Sequence, residues 1–117
     1  MIQIPAFNST SADFEQTITL GTQELLIRLA WNSRARFWFM DLDDQQGHVL
    51  LSRKLIPILP LFRTHRALMP IAGDFVLMPE SDVAPEYPTF EGLGTTHTLN
   101  WLDDAELVQW ETALGIV

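Results

Sequence analysis

An acidic run offers the first candidate for chemistry, because the sequence DLDD at residues 41–44 carries the oxygen ligands that calcium prefers. The spacing does not fit a calcium loop. If Asp41 were the first ligand, the loop would need glycine at position 46 and a bidentate glutamate at position 52, where the chain has Gln46 and Ser52. We predict an exposed β-turn here, without a metal ion, and expect Asp41 to pair with a neighbouring arginine.

Histidine and serine side chains give no catalytic arrangement either. His48, His65 and His97 are scattered, and none has a second histidine one helical turn away with an adjacent glutamate, as a zinc hydrolase would need. Ser33 and Ser52 lack the glycine-flanked turn that exposes a nucleophile, and the chain has no cysteine. We predict a non-enzymatic protein with no cofactor. A hydrolase with a carboxylate pair stays open as a rival, because such pairs have no linear signature.

Aromatic and arginine side chains are concentrated in AWNSRARFWFMDLDDQQG, residues 30–47. Large apolar residues on both faces of one strand, together with arginine, are typical of protein–protein interfaces. We predict that Trp31, Arg34, Arg36 and Trp38 combine core and contact roles, and that Trp110 is a docking residue on a C-terminal helix.

The charge balance argues against nucleic acid or a membrane as the main partner. Seven Lys and Arg face fifteen Asp and Glu, which gives a net charge of −8. A phosphate backbone or an anionic bilayer instead requires a basic surface. Aromatic rings beside arginines can still stack on sugars or bases, so a carbohydrate- or oligonucleotide-binding β domain without catalysis is the alternative.

The charges are also divided along the chain. Residues 1–66 hold all seven bases and six of the acids, a net charge of +1, whereas residues 67–117 hold nine acids and no Lys or Arg, a net charge of −9. Such a division can orient neighbours in an assembly. The family resemblance described below implies several copies around an axis; such a ring-like arrangement needs heterologous contacts, in which one face of a copy meets a different face of the next, and this division would serve them.

Length and composition define the framework that positions these residues. A chain of 117 residues, 47% of them hydrophobic, suffices for one domain with one core. The absence of cysteine fits assembly in a reducing cytoplasm, and neither a signal peptide nor a membrane-spanning run is visible in the sequence. We therefore expect a soluble, unexported chain.

Four strands are predicted to follow one another as an antiparallel meander. FEQTITL at residues 14–20 and the run that ends at Trp31 alternate in hydrophobicity around a turn at Gly21. RFWFMDL, residues 36–42, is apolar on both faces, so we expect a strand that is central or covered on each side. HVLLSRKLI, residues 48–56, is the fourth strand of the meander.

The second half of the chain predicts shorter strands. Pro57 and Pro60 lie where a central strand would need backbone donors, so the chain turns a corner or lies at a sheet edge there. DFVLM at residues 74–78 predicts a strand, and PESDVAPEYPTFEGLG at 79–94 predicts a long acidic, proline-rich loop or arm. TTHTLNWL at 95–102 predicts a half-buried final strand.

The C-terminus predicts an α-helix over residues 104–114. Asp103 and Glu106 have the spacing of a capping box, and Gly115 is placed to end the helix. Leu102, just before the helix, is expected to form a hydrophobic staple with Leu107. The helix carries an apolar stripe that needs a surface to cover it, formed by Leu107, Trp110 and Leu114.

Together these elements predict an all-β fold, a small antiparallel barrel or sandwich built on a β-meander, with a short C-terminal α-helix. Residues 1–102 are expected to form a single β domain that includes the loop at 79–94. The helical segment of residues 103–117 is appended to it.

The order of these motifs resembles the small baseplate plug proteins of contractile-tailed bacteriophages, of the cyanophage type. The resemblance covers residues 2–102 and is strongest in RLAWNSRARFWFMDLDDQQG, where a Trp-Asn pair, an arginine and an aromatic strand precede a turn that closes at Gly47. It is completed by IQIP near the start, FEQTITL, FVLM and LGTTHTLNWL. The helix over 104–114 and the proline-rich arm have no counterpart in it.

The resemblance implies an all-β, non-enzymatic component of the virion, located in the tail baseplate after assembly in the host cytoplasm. Its implied role is to plug or bridge the axial hub near the tail tube and spike, through contacts with those proteins. It transfers no catalytic, metal-binding or cofactor-binding residue to this chain.

Overall fold

The computed structural model describes residues 1–4, 13–20, 23–43, 49–63, 73–82 and 86–115. Two antiparallel sheets and one helix make up this part of the chain, and the sheet orders are β1-β7-β6 and β2-β3-β4-β5. The sheets do not close into a barrel, so of the two predicted architectures the sandwich is the one formed. The elements are β1 (Ile2–Gln3), β2 (Asp13–Leu20), β3 (Gln23–Asn32), β4 (Phe37–Asp43), β5 (Val49–Lys54), β6 (Asp74–Pro79), β7 (His97–Leu102) and α1 (Asp104–Leu114).

The four-stranded sheet confirms the predicted meander, and β4 is central between β3 and β5. Alternate residues of β3 and β4 enter the core because side chains alternate between the faces of a strand. The second face of β4, which carries Phe37 and Phe39, is only half-buried. The inward side chains are each at most 1% exposed and are Leu25, Ile27, Leu29, Trp38, Met40 and Leu42.

One prediction for the acidic run is wrong. Arg28 lies opposite Asp41 in the β3–β4 register, yet its guanidinium pairs with Asp13, with Nη2 to Oδ2 at 2.8 Å. Asp41 instead accepts a hydrogen bond from the Ser52 hydroxyl of β5. The arginine is thus bound by the neighbouring strand on its other side. The turn predicted after residue 43 lies outside the described residues.

The segment that follows β5 lies along the free edge of β6, as its two prolines predict. Pro57 forms a parallel bridge with Leu77, and the Leu61 amide donates to the Phe75 carbonyl at 2.9 Å. The buried Asp74 carboxylate links this segment to β6, because it accepts hydrogen bonds from the backbone amides of Phe62 and Phe75. A proline-containing segment can cover an edge in this way without supplying every backbone donor.

Gly73, which precedes β6, sits where no side chain fits. Its φ is +147°, and a Cβ built on it would lie 2.3 Å from the Trp101 ring and 2.5 Å from the Leu102 carbonyl oxygen. The glycine therefore lets β6 enter the sheet directly against β7.

The helix forms as the sequence predicts. The Asp103 side chain accepts from the Glu106 amide at 2.9 Å, and the Glu106 carboxylate accepts from the Asp103 amide at 3.1 Å, so the capping box is complete. Gly115 ends the helix with φ +75°. Leu102 and Leu107 share a small second core on the outer face of the three-stranded sheet, as the predicted staple requires.

Two expectations about the second half of the chain need correction. The final strand is buried at all six positions of β7 rather than on one face, because the main core covers one side and α1 covers the other. The described residues 86–94 do not extend away as an arm. Leu93 is 2% exposed in the main core, and Phe90 packs against that core. Among the described residues, no helix has the length and hydropathy to cross a membrane.

Candidate functional site

The tight turn between β3 and β4 presents two arginines to solvent. The Asn32 side-chain oxygen accepts from the amides of Arg34 at 3.1 Å and Ala35 at 3.0 Å, and the Asn32 carbonyl accepts from the Arg36 amide at 2.7 Å. Arg36 adopts φ +58°, the left-handed conformation that lets the chain reverse into β4. An asparagine at the start of a turn favours this closure. Arg34 and Arg36 are both exposed.

Behind the turn, three aromatic rings form one cluster. Trp31 and Trp38 are paired across β3 and β4, with ring centroids 5.6 Å apart in an edge arrangement. Phe90 stacks on Trp38 at 5.7 Å with an interplanar angle of 6°, and also meets Trp31 at 5.8 Å. The Trp38 indole N–H donates to the Thr89 carbonyl at 3.0 Å. The loop before β7 is thereby fastened to the β3–β4 hairpin.

Trp38 and Trp31 have different exposure. Trp38 is fully buried, so its side chain offers no surface to a partner. Trp31 is half-buried and forms part of the surface. The sequence predicts the same mixed role for both tryptophans, whereas in the structure Trp38 is an interior residue and Trp31 is a surface residue.

A second aromatic pair lies beside the turn. Phe37 and Tyr87 meet edge to face with centroids 5.0 Å apart, and the Lys54 ammonium lies 4.0 Å above the Phe37 ring. The loop aromatics Tyr87 and Phe90 lie outside the sequence-based site, although PEYPTFEG, with two aromatics between prolines and acids, was a local signal for them. Their placement depends on packing against β4.

These residues enclose two shallow grooves on either side of Trp31. One has a volume of about 430 Å³ and is lined on one wall by Trp31, Arg36 and Phe37 and on the other by residues 87–91. The other, of about 500 Å³, is lined by Arg34, Phe39 and residues 30–33. We call this region the hairpin surface and define it by Trp31, Arg34, Arg36, Phe37, Phe39, Tyr87 and Phe90.

The arginines of the hairpin surface have no ion-pair partner within the described ranges. Arg28, by contrast, is held by Asp13, and its hydrogen bond keeps the pKa of the Asp13 carboxyl below its usual value. Glu91 lines the groove of about 430 Å³ together with Arg36, without forming a salt bridge to it. The hairpin surface is thus aromatic and carries available positive charge, in a chain that is acidic as a whole.

Trp110 lies outside the hairpin surface, on α1. It is half-buried, packs against the second core, and its indole N–H donates to the Ile58 carbonyl at 2.7 Å. A groove of about 290 Å³ runs beside it, and its lining residues are Met1, Met78, Leu102, Glu106, Gln109, Trp110 and Ala113. The structure therefore brings Trp31, Arg34 and Arg36 together and leaves Trp110 at a separate surface.

The described residues contain no group of three or more His, Cys, Asp or Glu that could hold a metal ion. His97 is fully buried and its Nδ1 lies 2.9 Å from the Thr96 hydroxyl. The other two histidines lie outside the described residues.

The chain is similar to a known protein family. A protein-family model described as "Cyanophage baseplate Pam3 plug gp18" matches residues 1–104. The matched range includes the proline-rich loop at 79–94, for which the resemblance had no counterpart, and it stops at the first residue of α1. A search of curated proteins finds no match.

Proposed function

Since this chain belongs to the cyanophage baseplate plug family, which its residues 1–104 match, we propose that it is a structural protein of a phage tail baseplate. In this role it plugs or bridges the axial hub near the tail tube and spike and acts through protein contacts, without catalysis. It is made in the host cytoplasm and joins the baseplate in several copies.

The observation that carries this function, beyond the family, is the hairpin surface. Half-buried aromatic rings and exposed, unpaired arginines on a rigid turn are the composition of a protein-binding surface. The turn needs little ordering on binding because Asn32 already fixes it, which lowers the entropic cost of association. The net charge of −8 disfavours nucleic acid as the occupant.

Cross-linking within purified tail particles tests this proposal, and the chain is well suited to it. Its single lysine, Lys54, lies over the Phe37 ring at the hairpin surface. An amine-reactive reagent therefore reacts with the chain at Lys54 and at the α-amino group of Met1, and cross-linked peptides that contain Lys54 report on this surface. We expect mass spectrometry to find the chain in tail particles from the phage or organism that encodes it. Lys54 should cross-link to neighbouring baseplate polypeptides.

A matched control variant places the lysine on a different surface of the protein. In a Lys54→Arg and Thr112→Lys double variant, the amine lies on the exposed side of α1, and the cross-links of the hairpin surface should disappear. Absence of the chain from the particles would refute the proposal. Quenching of tryptophan fluorescence by oligosaccharides or single-stranded oligonucleotides, without any tail protein, would instead support the carbohydrate- or oligonucleotide-binding alternative.

A further inference from the structure

The segment Pro57–Ile58–Leu59 forms an unusual turn. The Leu59 amide donates to the Pro57 carbonyl at 2.9 Å, and Ile58 has φ +77°, which is the geometry of a γ-turn of the strained hand. A β-branched residue is strongly disfavoured in this conformation. Ile58 is nevertheless 41% exposed and Leu59 43% exposed, so the strain does not serve to bury either side chain. We call these two residues the Ile58 knob.

The knob is held rigidly by its neighbours. The Ile58 amide donates to the Leu77 carbonyl at 2.8 Å, and the Ile58 carbonyl accepts from the Trp110 indole at 2.7 Å. Prolines on both sides, Pro57 and Pro60, restrict the backbone further. Two large aliphatic side chains are thus presented to solvent on a pre-organised turn. Strained turns that the surrounding structure over-determines cluster at binding sites.

The hairpin surface has the complementary shape and chemistry. One of its two grooves, of about 430 Å³, is walled by the rings of Trp31, Phe37, Tyr87 and Phe90. A dry cavity of about 150 Å³ is enough to bind benzene, so this groove has room for two aliphatic side chains. Tryptophan and tyrosine are enriched among the residues that carry most of the binding energy at the centre of a protein interface.

The charges near the Ile58 knob and on the hairpin surface also favour contact between the two. The elements that flank the knob, β6 and α1, contain no Lys or Arg, and Asp104 and Glu106 lie in the first turn of α1. Arg63, four residues after the knob, is already engaged in a contact. Arg36 lines the groove of about 430 Å³ together with Glu91, and Arg34 lines the adjoining groove on the other side of Trp31; neither arginine has an ion pair in the described part of the chain. The helix beside the knob is thus acidic, with Glu106 paired to the Met1 amine and Asp104 beside it, whereas the hairpin surface as a whole carries the unpaired Arg34 and Arg36.

We infer that the hairpin surface binds a second copy of this chain, by receiving its Ile58 knob. The inference rests on the proposed function, since it names the neighbour that occupies the proposed contact surface. Because the knob and the groove are different surfaces, each copy can receive one neighbour and be received by another. Such head-to-tail contacts close into a ring when the rotation between copies permits it.

Sedimentation equilibrium of the full chain and three variants tests the inference. Ile58→Gly with Leu59→Ser removes the knob and preserves the turn, because glycine adopts positive φ without strain. Arg34→Glu with Arg36→Asn, the groove variant, removes the two positive charges beside the grooves of the hairpin surface. Asparagine at position 36 tolerates the left-handed conformation. Val108→Ser is the matched control, since Val108 is 59% exposed on α1 and belongs to neither surface. Thermal unfolding confirms that each variant is folded.

The natural chain should self-associate, and the knob and groove variants should each raise the dissociation constant at least about tenfold, whereas the control leaves it unchanged. Mixing the knob variant with the groove variant should restore association at a 1:1 ratio, because one supplies the intact groove and the other the intact knob. A monomeric natural chain, undiminished association of either folded variant, or a mixture that stays monomeric would each overturn the inference.

The outcome is distinguishable from a failure of the proposed function. A chain that is present in tail particles and cross-links through Lys54 only to other polypeptides, while remaining monomeric when purified, refutes the knob contact alone. A chain that self-associates through the knob but is absent from tail particles refutes the baseplate function alone.

Discussion

Replacing Trp38 by alanine should separate the interior role of this residue from the surface role of its neighbour Trp31. Trp38 is fully buried, stacks on Phe90 and donates its indole N–H to the Thr89 carbonyl. Truncation of a buried tryptophan typically costs 3–5 kcal/mol, and the indole hydrogen bond and ring contacts are part of that loss. We expect the free energy of unfolding to fall by about 4 kcal/mol, a large share of the stability of a small domain.

Two matched variants divide this loss into its parts. Trp38→Phe keeps a ring in the core but leaves the Thr89 carbonyl without its donor, so we expect a loss of about 1 to 2 kcal/mol. Trp31→Ala removes a half-buried ring and should cost about 1 to 2 kcal/mol, because less surface returns to water. The same Trp31 variant should weaken self-association, which the Trp38→Phe variant should leave largely intact.

Urea unfolding followed by circular dichroism provides the measurement. The midpoint should fall in the order natural chain, Trp38→Phe, Trp38→Ala, with the slope against urea unchanged. The reasoning would be refuted if Trp38→Ala cost less than about 1 kcal/mol. It would also be refuted if Trp31→Ala destabilised the chain as much as Trp38→Ala does, because burial would then not explain the difference.

Three further changes have defined outcomes. Gly73→Ala should lower the free energy of unfolding in urea by at least about 2 kcal/mol, because the new Cβ meets backbone and ring atoms that cannot move away. Gly115→Ala should lower it by only about 1 kcal/mol, from the left-handed backbone conformation, because the space around Gly115 is open. Asp74→Ala should cost about 3 kcal/mol by the same assay, because two backbone amides lose a buried charged acceptor; a loss below that of Gly115→Ala would contradict this assignment. The α-amino group of Met1 and the Asp103 amide hold the pKa of the Glu106 carboxyl below its usual value. Its stabilising contribution is therefore fully present above the usual pKa and is lost as the pH falls through the lowered pKa of the folded state. Glu106→Gln should therefore flatten the dependence of stability on pH between about pH 5 and 3, and an unchanged profile would show that this carboxylate contributes nothing.

Strands and helix were predictable where the signal is local. The alternation in FEQTITL and in the strand ending at Trp31, and the apolar run of β4, determine the meander because each residue position fixes which face the side chain takes. The spacing of Asp103 and Glu106 determined the helix start for a similar reason, since both partners of a capping box lie within one turn.

Features that depend on distant packing could not be read from the sequence. Nothing local distinguishes Trp31 from Trp38, since both are strand tryptophans, and it is Phe90 and Thr89, more than fifty residues later, that complete the burial of Trp38. The loop that carries those residues has no periodicity from which a register could be inferred. The full burial of β7 likewise follows from where α1 docks, which its capping signals do not specify.

The small second core beneath α1 gives the molecule two tiers of stability. Val76, Leu102 and Leu107 form a cluster separate from the main core, so the helix can detach by local opening at a lower free energy than global unfolding requires. Amide hydrogens of α1 should accordingly exchange with solvent faster than those of β3 and β4. Each opening also withdraws the Trp110 indole from the Ile58 carbonyl, so whatever engages the knob should slow exchange in the helix.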